Sequence, residues 1–209
     1  PSFVRKWRTK AGKYVNPMIV DTSVLVDGRL IDIAKTGFLF GTLLILPSVV
    51  RELHKLADSA DSARRKRGRR GLDELVQLRA VKTIKLEVLA RDVPGETVDG
   101  KLVAAAKKMQ AKLLTVDYNL NKVAKVSRVA VLNLNELANA AKTAVLPGES
   151  LSVQIIARGA QRQQGVGYLA DGTMVVVEDG AELAGKKTDV TVEKVLQTAA
   201  GKMVFARIA

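Results

Sequence analysis

At 209 residues with 47% hydrophobic content, the chain is long enough for one large domain, or a medium and a small one, with an apolar core. It has no cysteine and a single histidine, His54, which excludes disulfides, thiolate zinc sites and cysteine nucleophiles and leaves little histidine-based chemistry. The net charge of +13 sits wholly on the front part, where residues 1–146 hold 27 Lys and Arg against 14 Asp and Glu while residues 147–209 hold seven of each; such a field draws a polyanion, either nucleic acid or an anionic membrane surface.

Residues 1–17 carry Arg5, Lys6, Arg8, Lys10 and Lys13, no acid, and the aromatics Phe3, Trp7 and Tyr14. Two readings stand: a solvated basic arm, or a juxtamembrane segment lying on the cytoplasmic face of an anionic membrane. No apolar run reaches the ~18 residues needed to span a bilayer. A cytoplasmic location, with tethering through residues 1–17, is the expectation.

From Met18 short apolar runs alternate with helical periodicity. Strands are expected near 18–21, 42–46, 83–88, 113–116 and 130–134, and helices near 23–36, 48–58, 62–80, 98–110, 119–127 and 135–142. Short buried strands separated by helices predict a parallel sheet covered on both faces, with ligands beyond the carboxyl ends of its strands. Between Asp61 and Gly71, Arg64, Arg65, Lys66, Arg67, Arg69 and Arg70 crowd around Gly68. On one helix such charges repel, so the run is read as a phosphate-binding segment against the plainer alternative of a solvated surface.

Pro147-Gly148 marks a boundary. Beyond it lie apolar runs at 151–156, 165–168, 173–177, 189–192 and 202–207, with turns at Ala170-Asp-Gly172, Glu178-Asp-Gly180 and Ala200-Gly201. Five short strands with such turns predict a small all-β barrel of oligonucleotide-binding size. The domains are thus an arm over 1–17, an α/β domain over 18–146 and a barrel over 147–209.

Four acids draw the eye within the α/β part: Asp21 closing Met18-Ile-Val-Asp21, Glu52 behind Leu46-Pro47-Ser48, Asp99 in Thr97-Val-Asp-Gly100 and Asp117 closing Leu113-Leu-Thr-Val-Asp117. Asp21 and Asp117 could be helix caps, and Asp99 could serve a helix dipole. Glu52 shares a stripe with Val49, Leu53 and Leu56, and Asp99 shares one with Leu102, Val103 and Ala106; an acid turned inward is costly unless paired. Gathered carboxylates repel one another and call for a cation, and an all-oxygen set suits Mg2+ or Mn2+. Ser23 and Thr115 are candidate supporting hydroxyls, or ordinary strand-end turn residues.

Ile19-Val-Asp21-Thr-Ser23, Leu46-Pro-Ser-Val-Val-Arg-Glu52, Asp99-Gly-Lys-Leu-Val-Ala-Ala-Ala106 and Leu114-Thr-Val-Asp117 resemble, in order and spacing over residues 18–142, the acidic motifs of PIN-domain nucleases. Gly165-Val-Gly-Tyr-Leu-Ala-Asp-Gly172 and Val175-Val-Val-Glu-Asp-Gly180 resemble a TRAM domain, and the pairing resembles bacterial PIN-TRAM proteins that carry membrane spans ahead of the nuclease. The resemblance implies an α/β/α sandwich with a parallel sheet followed by an OB-like barrel, endonuclease activity dependent on Mg2+ or Mn2+, and Asp21, Glu52, Asp99 and Asp117 as catalytic and metal-holding residues. Asp27, in Val26-Asp27-Gly-Arg29, and Asn119 are assisting candidates or plain surface. Arg158 and Tyr168 are candidates to touch bases, although a lone tyrosine in a barrel is commonly core. His54, two residues past Glu52, is expected to point away from it at the surface.

The leading reading is a metal-dependent endonuclease acting on RNA or on single-stranded or branched DNA. The rival is a nucleic-acid-binding or regulatory module without catalysis, with the acids as caps. A receiver-type signalling domain is disfavoured, since the third strand ends in Leu89-Ala90 before Arg91-Asp92. A homo-oligomer is compatible with the sequence.

Overall fold

Five apolar runs pair side by side as Met18–Val20 (β1), Gly41–Ile45 (β2), Ile84–Val88 (β3), Lys112–Thr115 (β4) and Val131–Asn133 (β5). All pairings are parallel, in the order β3-β2-β1-β4-β5. The computed structural model describes residues 14–142, 145–161, 163–198 and 201–209; the arm residues Phe3, Arg5, Lys6, Trp7, Arg8, Lys10 and Lys13, and Ala200 of the expected last turn, lie outside them. Met18, Ile19 and Val20 are fully buried, as are Leu43, Leu44 and Ile45, because central parallel strands are covered on both faces and need apolar residues at successive positions. Chain order reverses between β1 and β4. At such a reversal the connections depart to opposite faces and open a crevice beyond the strands' carboxyl ends.

The helices are Thr22–Asp27 (α1), Leu30–Lys35 (α2), Pro47–Ala57 (α3), Ser62–Leu78 (α4), Val98–Met109 (α5), Tyr118–Val126 (α6) and Leu134–Ala140 (α7). The single helix expected over 23–36 is in fact two. Gly28 ends α1 in the left-handed conformation at φ 87°, a backbone state that costs glycine no Cβ clash.

The basic run lies on one unbroken helix. Gly68 inside it is a contact point with α3: a Cβ there would stand 2.2 Å from the Ala57 backbone nitrogen. Asp61 caps α4, its Oδ1 accepting from the Arg64 amide at 2.7 Å. Close packing on α3 and this cap offset the repulsion among the arginines. Arg65 turns back, donating from Nη1 to the carbonyls of Ser59 and Ala60 at 2.8 and 3.1 Å.

Glu74, on the far half of α4, is a buried acid that sequence periodicity did not single out. Its Oε1 accepts from the Ile31 amide at 2.9 Å and so satisfies the start of α2, whose own N-cap, Arg29, makes no side-chain cap. Burial pushes the Glu74 carboxyl up; the Ile31 amide opposes this, while Asp32 and Asp27 add to it.

The second unit is a closed barrel of Ser150–Arg158 (β6), Gly165–Tyr168 (β7), Met174–Glu178 (β8), Lys187–Thr198 (β9) and Gly201–Ile208 (β10). Its circular order is β10-β8-β7-β6-β9, antiparallel except between β10 and β8. Val153 and Ile155, Val175 and Val177, Val190 and Val192, and Val204 and Ala206 fill it at every second residue, as a strand with one face inward requires. β9 runs to 12 residues, well beyond the expected 189–192, because its first half pairs with β6 and it continues along β10 to close the barrel. The described residues divide into two compact units after Leu137, and Val145 already belongs to the barrel core.

Two outcomes follow. Gly68→Ala should cost about 1–3 kcal/mol or more in urea denaturation, since neither backbone can yield without separating the helices. Because the folded pKa of Glu74 is raised, its share of stability is present below the ordinary glutamate range and lost as pH rises through the raised value. Glu74→Gln, which retains an acceptor for the Ile31 amide, should therefore raise Tm at pH 8 and leave it nearly unchanged at pH 4.

Candidate active site

Asp21 follows β1 directly, and its amide donates to the Leu114 carbonyl at 3.0 Å, which extends the pairing of β1 with β4. It stands at the N-cap of α1 yet makes no side-chain cap. Instead its Oδ2 accepts from the Ser23 hydroxyl and from Thr115 Oγ1, the latter at 2.8 Å. The same two hydroxyls accept from the next turn of β4: Ser23 Oγ from the Val116 amide at 3.2 Å and Thr115 Oγ1 from the Asp117 amide at 2.9 Å. Ser23 and Thr115 thus tie the ends of β1 and β4 into one rigid corner.

Glu52 sits on the second turn of α3, half-buried on the stripe that carries Val49 and Leu53. The buried Thr22 hydroxyl donates to its Oε2 at 2.6 Å, which answers the cost of turning a carboxylate inward. The start of α3 has no side-chain cap of its own. Asp92, from the loop after β3, supplies one, accepting from the Ser48 amide at 3.0 Å and pairing with Arg51. Burial alone would raise the Asp92 carboxyl, but the Ser48 amide and Arg51 together bring it below the ordinary aspartate range.

Asp99 and Asp117 are exposed. Asp99 occupies the first turn of α5 behind the cap formed by Thr97, whose Oγ1 accepts from the Gly100 amide at 3.1 Å. Asp117 does serve as a cap, its Oδ1 accepting from the Leu120 amide at 2.8 Å. The four carboxylates share a field. Desolvation first, then the charges of Asp117 and Glu52, raise the Asp99 carboxyl. Burial raises Asp21 most; hydrogen bonds from Ser23 and Thr115 oppose this and the charge of Asp99 adds to it. Asp99 is therefore the hub that links the other three. None of the four joins an ion pair among the described residues, on a chain whose net charge is +13. Among the described residues, no three acids or histidines stand as a ready-made ion site. The acids form an open, mutually repelling group at the sheet's carboxyl end, and their hard-oxygen donor set suits Mg2+ or Mn2+.

The other expected residues fall differently. Asp27 ends α1 in a two-point pair with Arg29, whose Nη2 also donates to Asn135 Oδ1 at 2.6 Å. Asn135 in turn donates to the Val116 carbonyl at 3.4 Å, so this chain of contacts reaches the residue before Asp117. Asn119 is exposed and bonds to none of the acids. Arg64, Lys66, Arg67 and Arg69 are exposed, Arg65 holds backbone, and Arg70 Nη1 donates to the Asp27 carbonyl at 3.3 Å. His54 is exposed, as expected. On the barrel, Arg158 pairs with Glu182 at 3.0 Å. Tyr168 is 46% exposed and not core. Arg158 is opposite Gly165 while Tyr168 ends the same strand, so about 10 Å of strand separates their backbones and they do not form one stacking platform.

Sequence reasoning passed over Thr22, Asp92, Arg29 and Asn135 as working residues. Thr22 was detectable, since a hydroxyl beside a strand-end acid is poised to meet a neighbour; the Asp92–Ser48 and Arg29–Asn135 contacts join residues far apart in sequence and carry no local signal. Because Asp21 and Asp99 both have raised pKa values in the folded state, stability is lost as pH rises through those values. Asp99→Asn should raise Tm at pH 8 in metal-free buffer and have little effect near pH 3.5; Thr22→Val, which strands Glu52, should lower stability by about 1–3 kcal/mol.

No family model matches the chain. It is 51% identical over 190 residues, 90% of its own length, to the uncharacterized PIN and TRAM-domain containing protein YacL of Bacillus subtilis. It is 45% identical over 196 residues to an uncharacterized PIN and TRAM-domain containing protein of Synechocystis. It covers 52% and 55% of those proteins, so it spans about half the length of the curated relatives it matches. A domain of a functionally unknown protein from Methanocaldococcus jannaschii superposes with a TM-score of 0.50 at 27% identity, over 63% of this chain and 97% of that one. With the sheet order, the strand-end acids and the closed five-stranded barrel, these likenesses make the chain a homologue, over nine-tenths of its length, of curated proteins named PIN and TRAM-domain containing.

Proposed function

We propose that the α/β unit, which has a nuclease fold, is an endonuclease that hydrolyses phosphodiester bonds of nucleic acid with Mg2+ or Mn2+ held by Asp21, Glu52, Asp99 and Asp117. The observation that carries this reading is that four electrostatically linked carboxylates at the carboxyl end of a parallel sheet go without an ion pair among the described residues of a strongly basic chain. Capping accounts for Asp117 alone. Asp21 makes no side-chain cap, Asp99 lies inside its helix behind Thr97, and Glu52 is on the second turn of α3.

Each acid has a distinct task. Asp21, fixed by Ser23 and Thr115, is the preorganised anchor. Glu52, aimed by Thr22, presents a second carboxylate from the other side of α1. Asp99 and Asp117, exposed to solvent, complete the site on the side from which a substrate enters. Bound Mg2+ or Mn2+ would supply Lewis-acid stabilisation of the negative charge and a lowered pKa for water. Water attacks phosphorus in line, a P–O ester bond breaks, and the products are a phosphomonoester and an alcohol. The exposed Arg64, Lys66, Arg67 and Arg69 seat flanking phosphates. RNA and single-stranded or branched DNA all present that backbone, and the OB-like barrel offers a second surface for it.

Cleavage of a panel of single-stranded RNA, hairpin RNA, single-stranded DNA and branched DNA should require Mg2+ or Mn2+ and be lost in Asp21→Asn and in Asp99→Asn, with binding measured in EDTA largely retained. Full cleavage by both purified variants would sink the proposal in favour of a binding module without catalysis. Millimolar Mn2+ should raise Tm by relieving carboxylate repulsion, and an equal rise in Asp21→Asn/Asp117→Asn would count against a metal site there.

A further inference from the structure

The end of the sheet opposite the acids has its own character. Five segments lead into the amino ends of the strands: 14–18, 33–41, 80–84, 106–112 and 127–131. Together they contain Lys35, Lys82, Lys107, Lys108, Lys112 and Arg128 and no acid. Lys35 is partnered by Asp32 at 3.8 Å; the other five form no ion pair among the described residues. Lys107 and Lys108 lie in the last turn of α5, where a cation offsets the helix dipole, but Lys82, Lys112 and Arg128 are outside any helix. Lys107, Lys112 and Arg128 line one cavity of about 530 Å3 together with Gln110 and Ser127, and no acid lines it.

Two phenylalanines stand at the same end. In the loop between α2 and β2, Leu39 is buried while its neighbours Phe38 and Phe40 are 83% and 47% exposed. The loop is braced on both sides. The Gly37 amide donates to the Ala34 carbonyl at 3.1 Å and Thr36 Oγ1 to the Ile33 carbonyl at 2.6 Å, while Asn16 Nδ2 donates to the Phe40 carbonyl at 2.7 Å. Alternation around a buried Leu39 turns both rings outward, and the bracing keeps them there. Lys112 is level through Met18 with Leu43, three residues beyond Phe40 and two strand spacings away, so about 14 Å separates the aromatic and basic parts.

We infer that this basic, phenylalanine-tipped end of the parallel-sheet unit docks on an anionic lipid surface. Charge complementarity supplies the attraction, and rings without a polar tip, flanked by lysines, fit the boundary between headgroups and acyl chains. Nucleic acid is the less suitable occupant. The cavity that gathers Lys107, Lys112 and Arg128 is lined by neither ring, so this end lacks the single groove in which a strand's phosphates and bases bind together, whereas a bilayer surface meets both parts at once. Docked by this face, the unit keeps the acid-bearing end turned away from the bilayer.

The test is co-sedimentation of the 209-residue chain with vesicles of phosphatidylcholine alone or mixed with phosphatidylserine, beside single-stranded RNA and DNA binding. Cleavage is not the readout, so the result is independent of the proposed nuclease activity. The chain should partition onto the phosphatidylserine vesicles, roughly ten-fold less as Phe38→Ser/Phe40→Ser, and roughly five-fold less for each charge removed in Lys107→Gln/Lys108→Gln. All four positions are exposed, and urea midpoints verify folding; should the phenylalanine variant prove unstable, the lysine variant carries the test. Partitioning equal to wild type in both variants would assign any vesicle binding to residues 1–13 and overturn the inference. So would loss of nucleic-acid binding in the variants with vesicle binding intact.

Discussion

Repulsion among acids that the backbone delivers to one end of a parallel sheet is the constraint on which the α/β unit turns. Parallel strands deliver their following residues to one end, and reversal of the strand order between β1 and β4 opens that end to solvent. Asp21 and Asp117 arrive there on adjacent strands, Glu52 and Asp99 on helices that begin there. Two of the four are held above the usual carboxylate range, Asp21 by burial and by Asp99, and Asp99 by burial, Asp117 and Glu52. Such a group weakens the fold at neutral pH unless a cation joins it.

Support for this arrangement comes from small polar groups. Ser23 and Thr115 each bond to Asp21 and to a backbone amide of the Val116–Asp117 turn, so one corner orients an acid and joins two strands. Thr22 orients Glu52 from α1. Asp92 and Glu74 cap from a distance helices that lack their own caps. In each case a loop or helix far along the chain supplies the missing partner for backbone donors that would otherwise be orphaned.

The positive charge is not spread evenly over this unit. Arg64 to Arg70 cluster on α4, and a second group of lysines occupies the amino end of the sheet. A unit with acids at one end and bases with exposed phenylalanines at the other has two faces of opposite chemistry. The barrel is neutral by composition, so what it offers a polyanion is shape and exposed groups such as Tyr168 rather than net charge.

Much of this was legible in the residues. Period-two valines in the barrel, short apolar runs in the sheet and the order of four acidic motifs are local patterns, and local patterns follow from backbone periodicity alone. The sequence therefore determined that a parallel sheet would carry acids at its strand ends and that a small barrel would follow. It could not show that Gly28 would split one expected helix into two, or that Gly68 marks a helix crossing within the basic run. It could not separate Asp117, a true cap, from Asp21, which caps nothing. Nor could it bring Asp92 to Ser48, Glu74 to Ile31, or Phe38 to the same end of the sheet as Lys112. Those outcomes depend on which distant backbone donor or side chain comes within about 3 Å, a matter of strand order and helix packing that no stretch of consecutive residues encodes.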